Sequence, residues 1–362
     1  MTDETLIEVQ HLTKSFVAAS NFFGKPTSFV QAVDDVSFSI KRGEAFGLVG
    51  ESGCGKTTIG KMLVGLIKPT SGTIVFEGQD LTAMNPVQRR ALCKDIQLIF
   101  QDPYASLNPR MTIGNIIAEP IKTNKLLPAD KVDARVDELL ECVGLAPYMR
   151  NRYPHEFSGG QRQRVGIARA LSVNPKLIIC DEPVSALDVS VQAQVLNLLD
   201  DLKDQFGLTY LFIAHGLSVV KHISDRVGVM YLGKLMEVAD KNDLYHEPLC
   251  PYTQALLSAI PSVDPKTRRK RIILEGDVPS PIDPPIGCRF QSRCFTDFGI
   301  CDNAAPELRE VVPGHWCACH HYDNIPPEGI AEVAAKVARA SARPTFGRDA
   351  SPDSKGAEGL TV

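Results

Sequence analysis

Long hydrophobic runs are missing from this 362-residue sequence. The longest, at 177–180 and 210–214, fall far short of the ~20 residues that a membrane-spanning helix requires. A basic excess is also missing, since 39 Lys and Arg face 43 Asp and Glu, and this disfavours a protein that works mainly on nucleic acid. The polar, acidic stretch 1–5 lacks the apolar core of a secretory signal. We therefore expect a cytosolic globular chain with no nucleic-acid partner.

The ten cysteines of such a chain predict no disulfide framework, because the cytosol keeps thiols reduced. Five of them crowd together near the C-terminus: Cys288, Cys294, Cys301, Cys317 and Cys319. Their spacing lacks the paired Cys-x2-Cys units of zinc ribbons, but four thiolates suit either a structural Zn²⁺ or an iron–sulfur cluster. Histidines in the same segment keep zinc open as an alternative: His315, His320 and His321. Reduced thiols without a metal are the simplest alternative.

Strand and helix patterns alternate along most of the chain. The predicted strands include 45–49, 72–76, 96–100, 177–180, 208–214 and 226–231. The predicted helices are 56–67, 190–205 and 217–223, with a further helical block between 112 and 172. Parallel strands that alternate with helices predict an α/β fold.

Composition divides the chain into three parts. We expect a main domain over 1–260 with a helical subdomain inserted at about 102–165, a small cysteine-rich domain over 261–327, and a flexible tail over 328–362. A basic run, Lys266 with 268–271, lies at the boundary. We interpret this run as a solvated linker, since no aromatic residues interleave as they would in a nucleic-acid patch.

A glycine-rich loop follows the predicted strand at 45–49. It fits the pattern G-x-x-x-x-G-K-[ST], and its residues are Gly50, Glu51, Ser52, Gly53, Cys54, Gly55, Lys56 and Thr57. The glycines let successive N–H groups point inward, and the following helix N-terminus adds partial positive charge. We expect Lys56 to bind the β- and γ-phosphates of a nucleotide and the Thr57 hydroxyl to ligate Mg²⁺.

Two carboxylates, Asp181 and Glu182, end the apolar strand at 177–180. An Asp at the end of a strand beside a phosphate loop is where a Mg²⁺ ligand is needed, either directly or through water. The adjacent Glu182 would face the γ-phosphate and polarise the attacking water. The alternative is a strand that simply emerges into solvent.

A second anion-binding pattern stands at the start of another predicted helix: Ser158, Gly159, Gly160 and Gln161. It could be nothing more than a capped helix. Since one phosphate loop does not need a second nest in its own chain, the pair suggests a nucleotide shared between two subunits.

These patterns together resemble a known family. The loop 50–58, Gln101, 158–161, 177–182, 185–188 and His215 occur in the order found in ABC-transporter ATPases. More narrowly, FQDPYASLNPR at 100–110, YPHEFSGGQRQR at 153–164 and PLCPYTQALLSAIP at 248–261 are similar to the ATPase subunits of oligopeptide and dipeptide importers. The chain departs from the usual family residues at Phe157 and Gly216, which affects only fine positioning.

The resemblance implies roles for particular residues. Phe16 would stack on adenine, although the insert at 17–31 leaves an ordinary strand-end Phe as the alternative. The loop residue Thr58 would bind nucleotide, Gln101 would contact Mg²⁺ and the attacking water, and His215 would bridge the γ-phosphate and Glu182. Ser158, Gly159, Gly160 and Gln161 would face the ATP of the opposite subunit, and Asp188 would cross the dimer interface. Catalysis would then depend on Glu182, His215 and Gln101.

The resemblance also extends to the cysteine-rich segment. It implies a [4Fe–4S] cluster held by Cys288, Cys294, Cys301 and Cys319, with Cys317 as the spare candidate ligand. Zn²⁺ is the alternative to the cluster.

By the same resemblance, we expect an ATPase that powers peptide import through ATP-driven dimer closure. Its partners would be a second, similar ATPase, two permeases and, indirectly, an extracytoplasmic solute-binding protein. It would lie at the cytoplasmic face of the bacterial inner membrane. The alternatives are import of nickel, glutathione or an opine, a soluble ABC ATPase acting on ribosomes or DNA, and a cluster-based redox sensor.

Overall fold

The computed structural model describes residues 4–261, 270–296, 299–323, 325, 329–330 and 332–334. Most of the basic run, including Lys266, and nearly all of the expected tail lie outside the described residues. The strands are β1 (Thr5–Ser20), β2 (Pro26–Lys41), β3 (Ala45–Val49), β4 (Ser71–Phe76), β5 (Gln79–Asp80), β6 (Ile96–Ile99), β7 (Leu177–Asp181), β8 (Thr209–Ala214), β9 (Arg226–Tyr231), β10 (Lys234–Asp240), β11 (Arg309–Val312) and β12 (His315–Cys317). The helices are α1 (Lys56–Leu63), α2 (Pro86–Leu92), α3 (Ile113–Thr123), α4 (Ala129–Cys142), α5 (Gly159–Leu171), α6 (Val189–Phe206), α7 (Leu217–Ile223), α8 (Lys241–His246) and α9 (Pro251–Ser258).

An eight-stranded sheet forms the centre of the molecule, in the order β11-β12-β10-β9-β3-β8-β7-β6. Its strands β9, β3, β8, β7 and β6 are parallel, as the alternation of strands and helices predicts. Because their carboxyl ends meet on one side, the loops after β3, β7 and β8 come together there. This arrangement brings the phosphate loop after β3, the carboxylates that end β7 and His215 after β8 to the same edge of the sheet.

Both faces of the parallel strands are buried, which explains their continuous apolar sequences. Along β7, Leu177 and Ile179 pack into one apolar cluster while Ile178 and Cys180 pack into another. The first cluster also holds α1 and the small antiparallel sheet β2-β1-β4-β5. The second holds most of the other helices. The central strands, and the loops that follow them, are therefore held from two sides.

The insert at 17–31, which makes the assignment of Phe16 as the stacking residue ambiguous, forms part of a long hairpin. Strands β1 and β2 pair antiparallel as far as Ser20 and Pro26, and Phe16 stands opposite Val30. At its tip Phe22 and Phe23 are almost fully exposed. Residues 17–31 thus lengthen two existing strands rather than add a new element.

The helical block predicted between 112 and 172 consists of α3, α4 and α5. Helix α3 packs against α4 and α5, and α5 also contacts β6 and α6. The prolines at 128, 147 and 154 lie between these helices, where no helical N–H is lost. The helix predicted over 56–67 is shorter than expected, because α1 ends at Leu63 and Gly65 follows with a positive φ.

The cysteine-rich part of the chain shares the central sheet with the rest. Strand β12 pairs antiparallel with β10, and β11 pairs with β12. Across this junction the buried carboxylate of Glu237 lies 2.7 Å from His315 Nε2 and also accepts hydrogen bonds from the N–H groups of Leu249 and Cys250. The sequence predicts a small appended unit over 261–327, and its strands β11 and β12 extend the main sheet through a pairing that no local pattern signals.

Candidate nucleotide-binding site

The glycine-rich loop joins β3 to α1 and curls around the buried Lys56. Its ammonium donates to the carbonyls of Gly50 at 2.7 Å and Glu51 at 3.0 Å, which aims the charge at the interior of the loop. Gly55 has a φ of 106°, and a Cβ there would lie 2.1 Å from the carbonyl oxygen of Ala32. The position therefore requires glycine for both conformation and space. The helix N-terminus and the lysine together make this loop a site for an anion.

The two strand-end carboxylates take different partners. Asp181 accepts a hydrogen bond from the Thr57 hydroxyl at 2.8 Å, so the two predicted Mg²⁺ ligands are already adjacent. Burial raises the pKa of Asp181, and the bond from Thr57 partly opposes that rise. A divalent cation between a carboxylate and a hydroxyl would favour the ionised form, and this donor set fits Mg²⁺.

Glu182 is the centre of the three predicted catalytic side chains. Its carboxylate oxygen Oε2 accepts from Gln101 Nε2 at 2.6 Å and lies 2.5 Å from His215 Nε2. The side chain is 4% exposed, while that of His215 is 46% exposed and faces the cleft. Glu182 also has a φ of 50°, a conformation that non-glycine residues adopt at a cost and that occurs often at functional sites. The structure thus brings Gln101, Glu182 and His215 together, as predicted.

A cleft of about 200 Å³ lies against these groups. Within the described ranges it is lined by Ala32, Ser52, Gly53, Gly55, Lys56, Thr57, Thr58, Gln101, Glu182 and His215. Phe16 lies outside this lining, on β1, with Lys14 Nζ 5.0 Å from its ring centroid. Its predicted stacking on adenine stays a prediction.

The second predicted nest also lies outside the cleft lining. Ser158 caps α5: its hydroxyl accepts a hydrogen bond from the Gln161 N–H, and the Gln161 side-chain oxygen accepts one from the Ser158 N–H. A Cβ on Gly160 would lie 2.4 Å from Val191 Cγ1, so α5 approaches α6 closely there. Asp188 caps α6, and hydrogen bonds from Ser190 and Val191 lower its pKa. These residues remain candidates for contacts with another subunit.

The predicted cysteine ligands interact with one another and with Cys250, which lies outside the C-terminal group of five. Burial is the main cause that raises the pKa of Cys288 to about 12 and that of Cys294 to about 11, and the nearby thiols of Cys250 and Cys301 contribute to both values. Burial also raises the pKa of Cys319, which interacts with Cys250, Cys294 and Cys288. Cys317 interacts instead with Cys250, Glu237 and Cys319.

A metal arrangement is nevertheless absent from the part of the chain that the structure describes: no three His, Cys, Asp or Glu side chains there are placed to hold an ion. Buried thiols of raised pKa are protonated, whereas a metal ligand is a thiolate. The predicted iron–sulfur cluster and its zinc alternative therefore gain no support from the geometry and stay predictions.

Two other residues contact the phosphate loop at Glu51 and have no local sequence signal. The hydroxyl of Tyr252, on α9, accepts from the Glu51 N–H at 3.2 Å. Arg293, from the cysteine-rich part, forms an ion pair with the Glu51 carboxylate. Both lie more than 200 positions from the loop they touch, so no spacing rule could have indicated them.

Comparisons with known proteins agree with this geometry. A family model of ABC transporters matches residues 33–185, and a model of the oligopeptide/dipeptide transporter C-terminal region matches residues 236–301. The oligopeptide transport ATP-binding protein AppF of Bacillus subtilis is 54% identical over 322 residues, 88% of this chain and 98% of the relative. The chain belongs to the oligopeptide/dipeptide family of ABC-transporter ATP-binding proteins.

Another relative in this family, the oligopeptide transport ATP-binding protein OppF of Haemophilus influenzae, is 52% identical over 87% of this chain and 97% of its own. Two solved structures resemble the fold. The dimeric ABC transporter cassette MJ0796 gives a TM-score of 0.58 at 26% identity, with 65% of this chain and 98% of that chain covered. The protein cbiO1 of Clostridium perfringens gives 0.58 at 27% identity, with 67% and 92% covered.

Membership of this family makes the chain an ABC-type ATPase, and both the family and its P-loop fold agree with the sequence-based expectation. No helix in the described ranges is both long and apolar enough to cross a bilayer.

Proposed function

We propose that this chain is the ATP-hydrolysing subunit that powers import of di- or oligopeptides. The observation that carries the proposal is the grouping of Gln101, Glu182 and His215 beside a phosphate loop, in a chain that matches an oligopeptide transport ATP-binding protein over 98% of that relative's length. Phosphoryl transfer needs positioned charge and an oriented water more than covalent chemistry, and this cleft offers the buried Lys56 and a carboxylate, Glu182, that can orient a water.

Each group in the cleft has a proposed role. Lys56 and the N–H groups of the loop 50–58 bind the phosphates. Thr57, Asp181 and Gln101 hold Mg²⁺, which neutralises charge on the phosphates when bound. Glu182 orients and polarises the attacking water, and its buried carboxylate is aimed by Gln101 and His215.

The nucleotide is proposed to lie between two subunits. Ser158, Gly159, Gly160 and Gln161 start α5 with N–H groups and a dipole suited to phosphate, yet they line no part of their own cleft. They would complete the site of a second ATPase subunit, with Asp188 at the interface and Phe16 against adenine. Hydrolysis would then release the dimer. We propose a heterodimer of two similar ATPases.

The remaining expectations concern how the chain is divided and where it acts. We propose an ATPase domain over 1–260 with its helical subdomain at about 102–165, a cysteine-rich domain over 261–327 and a tail over 328–362. Helices α3–α5 would contact one of two permeases and hold the chain at the cytoplasmic face of the membrane. A solute-binding protein outside the cell would deliver the peptide.

The cysteine-rich domain is proposed to hold a [4Fe–4S] cluster through Cys288, Cys294, Cys301 and Cys319, with Zn²⁺ as the alternative. The proposal rests on the family resemblance of this segment, and Cys319 lies close enough to Cys288 and Cys294 for the thiols to interact. Iron, sulfide and zinc would be measured on anaerobically purified protein and on Cys288→Ser, with Cys93→Ser as the control at an exposed thiol. Metal-free wild-type protein would contradict both versions.

The transport role is tested by purification of the tagged protein from membranes in mild detergent, followed by mass spectrometry. Two permeases and a second ATPase are expected, and a co-purifying binding protein can be stripped to identify its ligand. Peptides in that ligand pool support the proposal, whereas nickel, glutathione or an opine would change the substrate. A protein that stays in the soluble fraction with ribosomes or DNA would contradict membrane transport.

A further inference from the structure

The cysteine-rich part of the chain reaches the phosphate loop through one side chain. Arg293 Nη1 donates to both carboxylate oxygens of Glu51, at 2.9 and 3.1 Å, and to the Tyr231 hydroxyl at 3.3 Å. The Arg293 side chain is 11% exposed and that of Glu51 is 27% exposed. A charge-assisted pair sheltered to this degree is worth more than an ion pair on the open surface.

Glu51 is held at three separate points. Its side chain is bound by Arg293, and its N–H donates to the Tyr252 hydroxyl. Its carbonyl accepts from Lys56 Nζ at 3.0 Å and from the Cys54 N–H at 3.3 Å. Arg293 therefore binds a residue, Glu51, whose carbonyl is one of the two that orient Lys56, the other being that of Gly50.

Arg293 itself stands on a base fixed to the ATPase part of the chain. The Phe290 ring packs 5.3 Å from the ring of Tyr231 and 5.2 Å from that of Tyr252, centroid to centroid. Next to it, the buried Arg289 forms a 2.5 Å ion pair with Asp34 and donates to the Leu232 carbonyl. These contacts fix the segment between Cys288 and Cys294 to the ATPase part of the chain, beside the phosphate loop.

We propose that Arg293 is a positioning residue for nucleotide binding: by gripping Glu51 it holds the phosphate loop in the curl that places Lys56. This rests on the proposal that the loop binds the nucleotide. The cysteine-rich domain then acts on ATP affinity through a direct contact, and a change in that domain reaches the cleft by way of the residue between its first two cysteines.

The test compares Arg293→Gln with the wild type in the full-length protein. Without the Arg293–Glu51 ion pair the phosphate loop can adopt other conformations. We therefore expect KM for ATP and Kd for ADP to rise about 5- to 30-fold, while kcat changes less than about twofold. Arg293→Lys keeps the charge without the planar fork and should recover part of the affinity.

Two further variants separate positioning from folding. Glu51→Gln removes the same ion pair from the other side, and the double variant should be no worse than either single one, because both remove one interaction. Arg309→Gln breaks an ion pair with Asp323 inside the cysteine-rich part and serves as the control. Arg309→Gln should lower Tm slightly and leave nucleotide affinity unchanged.

Either of two results would overturn the proposal. One is unchanged nucleotide affinity in Arg293→Gln, and the other is an equal loss of affinity in Arg309→Gln. Lys56→Ala, measured alongside, distinguishes failure of the Arg293 proposal from failure of the proposal that the loop binds nucleotide. If Lys56→Ala also binds ADP as the wild type does, the loop is not the nucleotide site.

Discussion

The phosphate-loop cleft and the cysteine-rich part of the chain both gather reactive side chains, but in opposite ways. In the cleft, Thr57 already bonds Asp181, and Gln101 and His215 already bond Glu182. Among the cysteines, burial raises the pKa of Cys288 and Cys294 and so holds these two thiols protonated, and no metal arrangement forms within the described residues. The cleft is preorganised by its own hydrogen bonds, whereas the cysteines form no comparable framework.

This difference separates a site whose geometry is set before its ligand binds, the cleft, from one whose protonation would change on binding, the cysteines. Hydrogen-bonded groups on rigid strand ends keep their geometry before the ligand arrives, so less free energy is lost on binding. Thiols that must lose protons to bind a metal change state when it arrives, and metal affinity there is tied to folding and pH. Three measurements would sharpen or break this comparison.

The largest effect is expected for Glu182→Gln. The amide keeps the size of the side chain but cannot polarise water as a carboxylate does, so kcat should fall about 100- to 1,000-fold. ATP affinity should change less than about threefold, since the phosphates are held elsewhere. Steady-state hydrolysis and equilibrium nucleotide binding check this result.

The control for that variant is Glu77→Gln. Glu77 also has a positive φ and accepts two short ion-pair contacts, from Arg42 and Lys176, but it lies away from the cleft. Its hydrolysis rate should match the wild type. If Glu182→Gln hydrolyses ATP as fast as Glu77→Gln, the cleft is not preorganised for water attack through this carboxylate.

The next largest effect is expected for Lys56→Ala. Lys56 is 3% exposed, and its ammonium is the cation enclosed by the loop, so its loss should weaken ATP binding about 10- to 100-fold. Calorimetric titration with ADP and ATP would measure this. Lys68→Ala, an exposed lysine beyond α1, should bind both nucleotides normally. Equal affinities in the two variants would contradict the role of the loop.

A smaller effect concerns the thiols in metal-free protein. With a pKa of about 11, only about 0.1% of Cys294 is thiolate at pH 8, and this fraction rises about tenfold for each pH unit up to about pH 10. Iodoacetamide labelling followed by mass spectrometry should therefore give slow modification at pH 8 and about tenfold faster modification at pH 9. Cys93, which is exposed, is the internal reference.

Rapid labelling of Cys294 at pH 8 would show that burial does not hold it protonated. The cysteines would then be poised for a metal without a change of state, and the contrast with the cleft would disappear.

Much of the cleft could be predicted from sequence because its residues belong to short motifs at strand ends. The loop 50–57 follows β3, and Asp181 with Glu182 ends β7, so periodicity alone places them on one side of a parallel sheet. The family resemblance adds Gln101 and His215, and the structure places both against Glu182.

The remainder depends on contacts between distant parts of the chain. The Arg293–Glu51 pair joins positions 242 residues apart, and β12 pairs with β10 across more than 70 residues. Neither leaves a periodic or spacing signal, since register is set by packing and by the buried Glu237 and His315. The hairpin tip at Phe22 is unpredicted for a similar reason, because an apolar pair in a loop gives no sign of its exposure.

The pairing of β12 with β10 has a consequence for any shortened form of this protein. A chain ending at residue 260 would leave the N–H and C=O groups of β10 without β12 and would remove His315 from the buried Glu237. An open strand is a template for pairing with other chains, and here it would lie beside a buried carboxylate that keeps its bonds from Leu249 and Cys250 but has lost its histidine. By covering the edge of β10, the cysteine-rich end thus also favours solubility, whatever its thiols bind.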